Sequence, residues 1–170
     1  AVAKHGNRRI SSTSGSADVL AELGVNVQAD VGQIEACLDE LGICFCFAPL
    51  WHPSMQRVAA VRKELGIRTI FNLLGPLCNP AGAPFQWLGV GRPELRSLLA
   101  EVLLQLGTDR ACVVCGEDGL DEVTLSGRTF VSKIAGGCIE ELDSIPEDFG
   151  LARASLDTLR VDSPVASAAI

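Results

Sequence analysis

Two stretches of the chain hold residue types that could do chemistry. The first runs Lys4-His5-Gly6-Asn7-Arg8-Arg9-Ile10-Ser11-Ser12-Thr13-Ser14-Gly15-Ser16 and combines cationic side chains, hydroxyls and two glycines. It leads into Ser16-Ala17-Asp18-Val19-Leu20, which reads as a helix start. Backbone N–H groups at the beginning of a helix, behind a flexible polar loop, form an anion site. Lys4 would supply point charge there, and Arg8 and Arg9 fork-shaped donors for phosphate oxygens. The stretch is thus a candidate phosphate-binding loop between a strand, Ala1 to Lys4, and a helix. The competing reading is a solvated basic turn with an N-cap serine.

The second stretch, Gly116-Glu117-Asp118-Gly119-Leu120-Asp121-Glu122, places four carboxylates within seven residues. Its glycines let the backbone curl. Such turns suit Mg2+, which takes one or two carboxylates and completes its shell with waters and substrate phosphate oxygens. An acidic surface turn after a strand is the plainer reading. A magnesium–diphosphate ligand would need both stretches, the basic loop and the acidic turn.

Other polar residues are ambiguous. His52, after a strand and before Pro53, either caps the helix that follows or touches ligand. Arg62 falls beside an apolar stripe, where arginine ordinarily snorkels to the edge of the core. Trp51 and Trp87 read as packing or rim residues.

The elements that must position these residues follow from periodicity. Ser16 to Leu23 reads as a short helix closed by Gly24. Asp30 and Gln33 form a capping box for a helix to about Leu41, with Gly42 after it. Ile43 to Ala48 is an apolar run of strand length, ended by Pro49. One helix is expected from Pro53 to about Leu65, with Met55, Val58 and Leu65 as a buried stripe. Ile67 to Pro80, punctuated by Gly75-Pro76 and Asn79-Pro80, reads as a structured loop. Phe85 to Val90 is a strand. Pro93 and Glu94 then open an apolar helix with Leu95, Leu98, Leu99, Val102, Leu103 and Leu106 at core spacing, and Arg110 to Cys115 is the next buried strand. Val123 to Leu125, Thr129 to Ile134 and Cys138 to Leu142 read as short antiparallel strands. The expected fold class is α/β, a mostly parallel central sheet flanked by helices with a short antiparallel hairpin region near the C-terminal end. Ligands in such folds sit at the carboxyl ends of the strands, where the opening loop, His52 and the acidic turn all fall.

Composition narrows the function. The 170 residues, 48% hydrophobic and 21% charged, suit one packed domain. A formal net charge of −7 disfavours a general nucleic-acid binder, which relies on Lys and Arg against phosphates. With three cations among the first nine residues, a small anionic ligand is the better match. No apolar stretch approaches the ~20 residues of a membrane span, so no membrane partner is expected. The Cys112-x-x-Cys115 pair falls in a strand that turns its thiols to opposite faces, and no second pair has zinc-finger spacing. The seven cysteines therefore read as small core residues in a reducing compartment. Both ends of the chain read as those of a fragment.

Five ordered motifs carry a resemblance: KHGNR (Lys4 to Arg8), SGSADVL (Ser14 to Leu20), FAPLWHPSM (Phe47 to Met55), VRKELGIRTIFNLLGPLCNPAG (Val61 to Gly82) and EDGLDE (Glu117 to Glu122). Together they resemble the anthranilate phosphoribosyltransferase family, from about Ala1 to Leu142 and more weakly to the end. The resemblance implies transfer of phosphoribose from 5-phosphoribosyl 1-diphosphate to anthranilate, with release of diphosphate, in tryptophan biosynthesis in the cytoplasm. It implies that Lys4, His5, Gly6, Asn7, Arg8, Arg9, Ile10, Ser11, Ser12 and Ser16 line the phosphoribosyl diphosphate site. Asn7 and Arg62 would contact anthranilate, His52 and Pro76 would line its way in, and Asp121 and Glu122 would hold Mg2+. Lys4 would help stabilise the departing diphosphate, with no covalent nucleophile required.

Departures matter too. The family's N-terminal helical domain, which forms a homodimer, its glycine-rich diphosphate loop and its C-terminal helices are not found in residues 1–170. An incomplete phosphoribosyltransferase α/β domain, inactive by itself, is therefore the expectation. Three other readings compete: a pyrimidine nucleoside phosphorylase-like enzyme, a non-catalytic nucleic-acid-binding paralogue of the same fold, and an α/β module that binds nothing.

Overall fold

The computed structural model describes residues 1–8, 15–67 and 69–169. The chain divides into two units, residues 1–82 with 161–170, and residues 83–160.

The first unit is built on a parallel strand pair. Strand β1 (Val2–Gly6) leads to helix α1 (Ser16–Glu22) and helix α2 (Val31–Leu41), and strand β2 (Ile43–Phe47) returns beside β1. The capping box holds: the Gln33 N–H donates to Asp30 Oδ1 at 2.9 Å, and the Asp30 N–H donates to Gln33 Oε1 at 3.2 Å. Gly42, at φ 73°, supplies the left-handed residue that ends α2. β1 reaches two residues beyond the expected Lys4, because its pairing with β2 continues to Gly6 opposite Phe47.

Strand alternation sorts the side chains into two layers. Ala3 and His5 share a face with Cys44 and Cys46, and that face packs with Ile34, Cys37 and Leu38 of α2 and with Trp51. Lys4 and Gly6 share the other face with Phe45 and Phe47, beside Ala17, Leu20 and Ala21 of α1. A short terminal helix, Pro164–Ala168, lies against α1. All seven cysteines are free thiols. Burial, and then neighbouring Cys44, push the Cys46 thiol up to about 11, so it stays protonated and packs as a small core residue.

Beyond β2 the helices are more broken than the periodicity suggests. Ala48–Trp51 forms an extra helical turn, α3, which begins where β2 stops and carries Pro49 in its first turn. The helix expected from Pro53 to Leu65 is two, α4 (Pro53–Arg57) and α5 (Ala59–Leu65). The break falls at β-branched Val58, whose φ −99° and ψ −1° lie in the bridge region. Leu65 consequently leaves the expected stripe and is 54% exposed. The structured loop that follows contains helix α6 (Phe71–Leu74) and a 3-10 turn, Gly75–Leu77. Asn79 Nδ2 donates to the Ala3 carbonyl at 2.9 Å, which ties that loop back to β1.

The second unit is a four-stranded sheet in the order β3 (Phe85–Gly89), β4 (Arg110–Gly116), β5 (Thr129–Ala135), β6 (Cys138–Ser144). β3 and β4 are parallel, joined through helix α7 (Glu94–Gln105), while β4, β5 and β6 are antiparallel. Gly136 and Gly137, both at positive φ, make the two-residue hairpin turn that only such residues allow without strain. Leu99, Ala100 and Leu103 are the buried residues of α7, whereas Leu98 and Leu106 of the expected set are exposed. Arg96 pins α7 to the sheet through an ion pair with Glu141 and a 2.7 Å hydrogen bond to buried Ser132.

The α/β class, the parallel pairs and the antiparallel region thus stand as expected. One strand does not: residues 123–125 are irregular, because the Thr124 N–H is taken by the Thr129 side-chain oxygen at 3.0 Å instead of a ladder carbonyl. Among the described residues no helix is long and apolar enough to cross a membrane.

Candidate active site

Of the basic loop, Lys4 to Arg8 and Ser16 are described; Arg9, Ile10, Ser11 and Ser12 lie outside the described residues. Gly6 is there for space. A Cβ on it would sit 2.6 Å from Ser16 Oγ and 3.0 Å from the Phe45 ring, so a larger residue would make both side chains give way where α1 starts beside the strand end. The Ala17 N–H donates to the Asn7 carbonyl at 3.4 Å, and the Asn7 side-chain oxygen accepts from the Arg8 N–H at 2.8 Å. Arg8 Nη1 meets Asp18 Oδ1 at 3.2 Å, with the guanidinium 6.0 Å from the Phe47 ring centroid. Asp18 also accepts from the Gly15 N–H at 3.1 Å, so the start of α1 already carries a carboxylate. Gly6, Asn7, Arg8 and Ser16 are therefore brought together, with Lys4 exposed on the same face of β1 as Gly6.

His5 belongs to a different group. Strand alternation turns it to the opposite face from Lys4, where its Nε2 lies 3.1 Å from His52 Nε2. The rings meet edge to face at 5.0 Å between centroids. Burial first, and the His52 imidazole second, hold the His5 imidazole below its ordinary 6.5; a backbone hydrogen bond with Gly75 opposes them without overcoming them. His52, Met55, Leu74, Gly75 and Cys78 line a cavity of about 70 Å³, with Pro76 next in the chain. His52 is thus more than a helix cap. It joins β1 to the Gly75-Pro76 turn through His5.

The His5 shift has a consequence for stability. Below 6.5 the unfolded chain binds a proton that folded His5 resists, so its contribution is complete above 6.5 and is lost as pH falls through the folded value. The urea midpoint is expected to drop between about pH 7.5 and 5.5, and His5→Gln to flatten that drop. An equal drop in the variant would assign the effect to other groups.

Arg62, on α5, stacks its guanidinium 5.4 Å from the Phe71 ring centroid of α6. It is neither free in solvent nor buried. A cation over a ring face is attracted by the ring quadrupole, and a guanidinium keeps N–H donors to spare for a carboxylate.

The acidic turn lies in the second unit, between β4 and β5. The Gly116 N–H donates to the Leu120 carbonyl at 2.8 Å, and the Gly119 N–H to the Gly116 carbonyl at 2.9 Å. Asp118 faces inward on a set of hydroxyls: Thr124 and Ser126 each donate to its Oδ2 at 2.5 Å, and the Leu120 N–H donates to Oδ1 at 3.0 Å. Burial alone would push the Asp118 carboxyl up, but the hydrogen bonds from Ser126, Thr124 and Leu120 together hold it below the usual carboxylate range. Asp121 and Glu122 are exposed and make no ion pair or side-chain hydrogen bond with a described residue. The Asp121 carbonyl rests where a Cβ of Gly89 would be. Among the described residues no group of three or more His, Cys, Asp or Glu is placed to hold a metal. Two adjacent carboxylate donors fit Mg2+, which draws its remaining oxygens from water and phosphate.

Sequence reasoning missed Asn79, the His5–His52 contact, Gly89 and the hydroxyl partners of Asp118. Of these, Asn79 and Asp118 carried a local signal, an Asx-type turn onto the N–H two residues ahead, of Ala81 and Leu120.

A family model described as the glycosyl transferase family, a/b domain, matches residues 1–170. The chain belongs to that family. Among its relatives, the anthranilate phosphoribosyltransferase of Stenotrophomonas maltophilia (strain K279a) is 52% identical over 163 residues, covering 96% of this chain and 48% of the relative. That of Burkholderia multivorans (strain ATCC 17616 / 249) is 51% identical over 169 residues, covering 99% and 49%. The chain therefore spans about half the length of the curated relatives it matches. Two solved structures of glycosyl transferase relatives share the fold. The anthranilate phosphoribosyltransferase of Thermus thermophilus superposes with TM-score 0.90 at 48% identity, covering 99% of this chain and 50% of that one. The Saccharomyces cerevisiae enzyme, in complex with PRPP and Mg, does so with TM-score 0.89 at 31% identity, covering 98% and 46%.

Proposed function

We propose that this chain carries the substrate-binding part of an anthranilate phosphoribosyltransferase, which moves the phosphoribosyl group of 5-phosphoribosyl 1-diphosphate to anthranilate with Mg2+ as cofactor. The observation that carries the reading is identity above 50% along nearly the whole chain to relatives named for that reaction. The yeast structure with PRPP and Mg supports both the donor substrate and the metal. The −7 net charge weighs against a nucleic-acid partner. A homodimer working in the cytoplasm is proposed on family resemblance alone.

The chemistry is substitution at the ribose anomeric carbon. The bond to the diphosphate oxygen breaks, the bond to the anthranilate nitrogen forms, and the amine releases a proton to solvent. Lys4 and the Arg8 guanidinium, with the backbone around Asn7 and Ser16, hold the phosphate oxygens. Arg62, its guanidinium over the Phe71 ring, grips the anthranilate carboxylate, and His52 and Pro76 border the route of the aromatic ring. Asp121 and Glu122 would hold Mg2+, which supplies charge neutralisation of diphosphate when bound. An aromatic amine is already a nucleophile, so the residues act by alignment and electrostatics.

The test is product identification by mass spectrometry with the full-length protein. Anthranilate, 5-phosphoribosyl 1-diphosphate and Mg2+ should yield N-(5-phosphoribosyl)anthranilate, and inorganic phosphate with a pyrimidine nucleoside should yield nothing. The reverse pattern would establish the phosphorylase reading.

A further inference from the structure

Three of the four carboxylates of the acidic turn divide by what they touch. Asp121 and Glu122 project without a side-chain partner among the described residues, whereas Asp118 accepts three hydrogen bonds. An ionised carboxylate has about four lone-pair sites, so most of its capacity is spent inside the turn. The donors span the segment that carries Asp121 and Glu122. Leu120 precedes it, and Thr124 and Ser126 follow it.

Each of those anchors is itself fixed. Thr124 is 1% exposed, its N–H donates to Thr129 Oγ1 at 3.0 Å, and its own oxygen accepts from the Ser126 N–H at 3.0 Å. Leu120 is held from its carbonyl by the Gly116 N–H. From below, Gly89 of β3 offers no side chain, and the Asp121 backbone occupies the space. The stretch from Asp121 to Val123 is therefore clamped at both ends, with its first residue seated against Gly89.

We propose that Asp118 is a positioning residue for the cation site, setting the geometry of Asp121 and Glu122 without ligating the metal. This rests on the reading of Asp121 and Glu122 as the Mg2+ donors. Removing a hydrogen-bond partner that orients metal ligands costs about ten- to a hundredfold in metal affinity.

The experiment compares Asp118→Asn, the double variant Thr124→Val/Ser126→Ala, Thr124→Ser and Asp121→Asn in the full-length protein. One readout is metal-free, the amide hydrogen exchange of Leu120 and Ser126. The other is the Mg2+ concentration that gives half-maximal binding of 5-phosphoribosyl 1-diphosphate, by calorimetry. Asp118→Asn should speed exchange at both amides and raise the Mg2+ requirement about ten- to a hundredfold. The double variant, which keeps the carboxylate and serves if Asp118→Asn does not fold, should do the same, and Thr124→Ser should match the parent. Faster exchange with an unchanged Mg2+ requirement overturns the proposal. So does an Asp118→Asn variant that loses Mg2+ dependence altogether while the double variant is normal, because Asp118 would then be a ligand. An unaltered requirement in Asp121→Asn overturns the cation reading itself, and the proposal with it.

Discussion

Arg62→Ala is expected to lower kcat/KM for anthranilate by roughly 10²–10³ while the protein still binds 5-phosphoribosyl 1-diphosphate. The magnitude is that of losing one positioned charged donor to a substrate oxygen. The stack on Phe71 makes the prediction sharper than a charge argument would. A guanidinium presents two parallel N–H groups to a carboxylate, whereas an ammonium presents a point. Arg62→Lys should therefore recover little of the loss, and Phe71→Leu should raise the KM for anthranilate by a smaller factor. Unchanged anthranilate kinetics in Arg62→Ala would reduce the stack to helix packing.

Gly89→Ala carries the second large effect. The added methyl group would fall on the Asp121 carbonyl, a backbone atom with no rotamer to escape into, so the turn itself has to move. Overpacking of this kind costs about 1–3 kcal/mol of stability, occasionally more. Displacement of Asp121 should also cost at least roughly tenfold in Mg2+-dependent activity, since supports of metal ligands have effects of that size. Gly91→Ala is the matched control: its Cβ would lie 3.2 Å from the Gly119 carbonyl, close enough to need only a small adjustment. Urea unfolding and activity across a Mg2+ titration measure the two consequences separately. Gly89→Ala with parental values of both would mean that the turn adapts freely and is not seated on β3.

How much of this was legible in the sequence depended on whether the determinant was local. The capping box at Asp30 and Gln33 and the glycine after Leu41 are neighbours along the chain, and they appear where the residues say. The apolar run at Ile43 read as a buried strand because its signal is continuous. The break at Val58 was hidden, since Met55, Val58 and Leu65 keep helical spacing whether or not the helix is continuous. Residues 123–125 looked like a strand by composition, but the backbone N–H of Thr124 went to a side chain five residues ahead.

The candidate site shows the same division. Motif order placed KHGNR, Arg62 and the acidic turn, yet it could not separate Lys4 from His5. Period-two alternation puts those two on opposite faces of β1, and only pairing with β2 and the approach of His52 show what His5 meets. In the acidic turn four carboxylates looked equivalent. The hydroxyls of Thr124 and Ser126, six and eight residues beyond Asp118, distinguish it from Asp121 and Glu122. Asn79 was marked as a turn residue before Pro80, but its reach to the Ala3 carbonyl across 76 positions had no sequence signal.

The central claim is a Mg2+-dependent transfer of phosphoribose to anthranilate. Its most direct test is the loss of anthranilate fluorescence in the full-length protein with 5-phosphoribosyl 1-diphosphate and Mg2+, run beside a sample containing EDTA. The account predicts a steady loss that stops with EDTA and is nearly abolished in Asp121→Asn. Constant fluorescence in a folded protein, or a loss indifferent to both EDTA and Asp121→Asn, would contradict it.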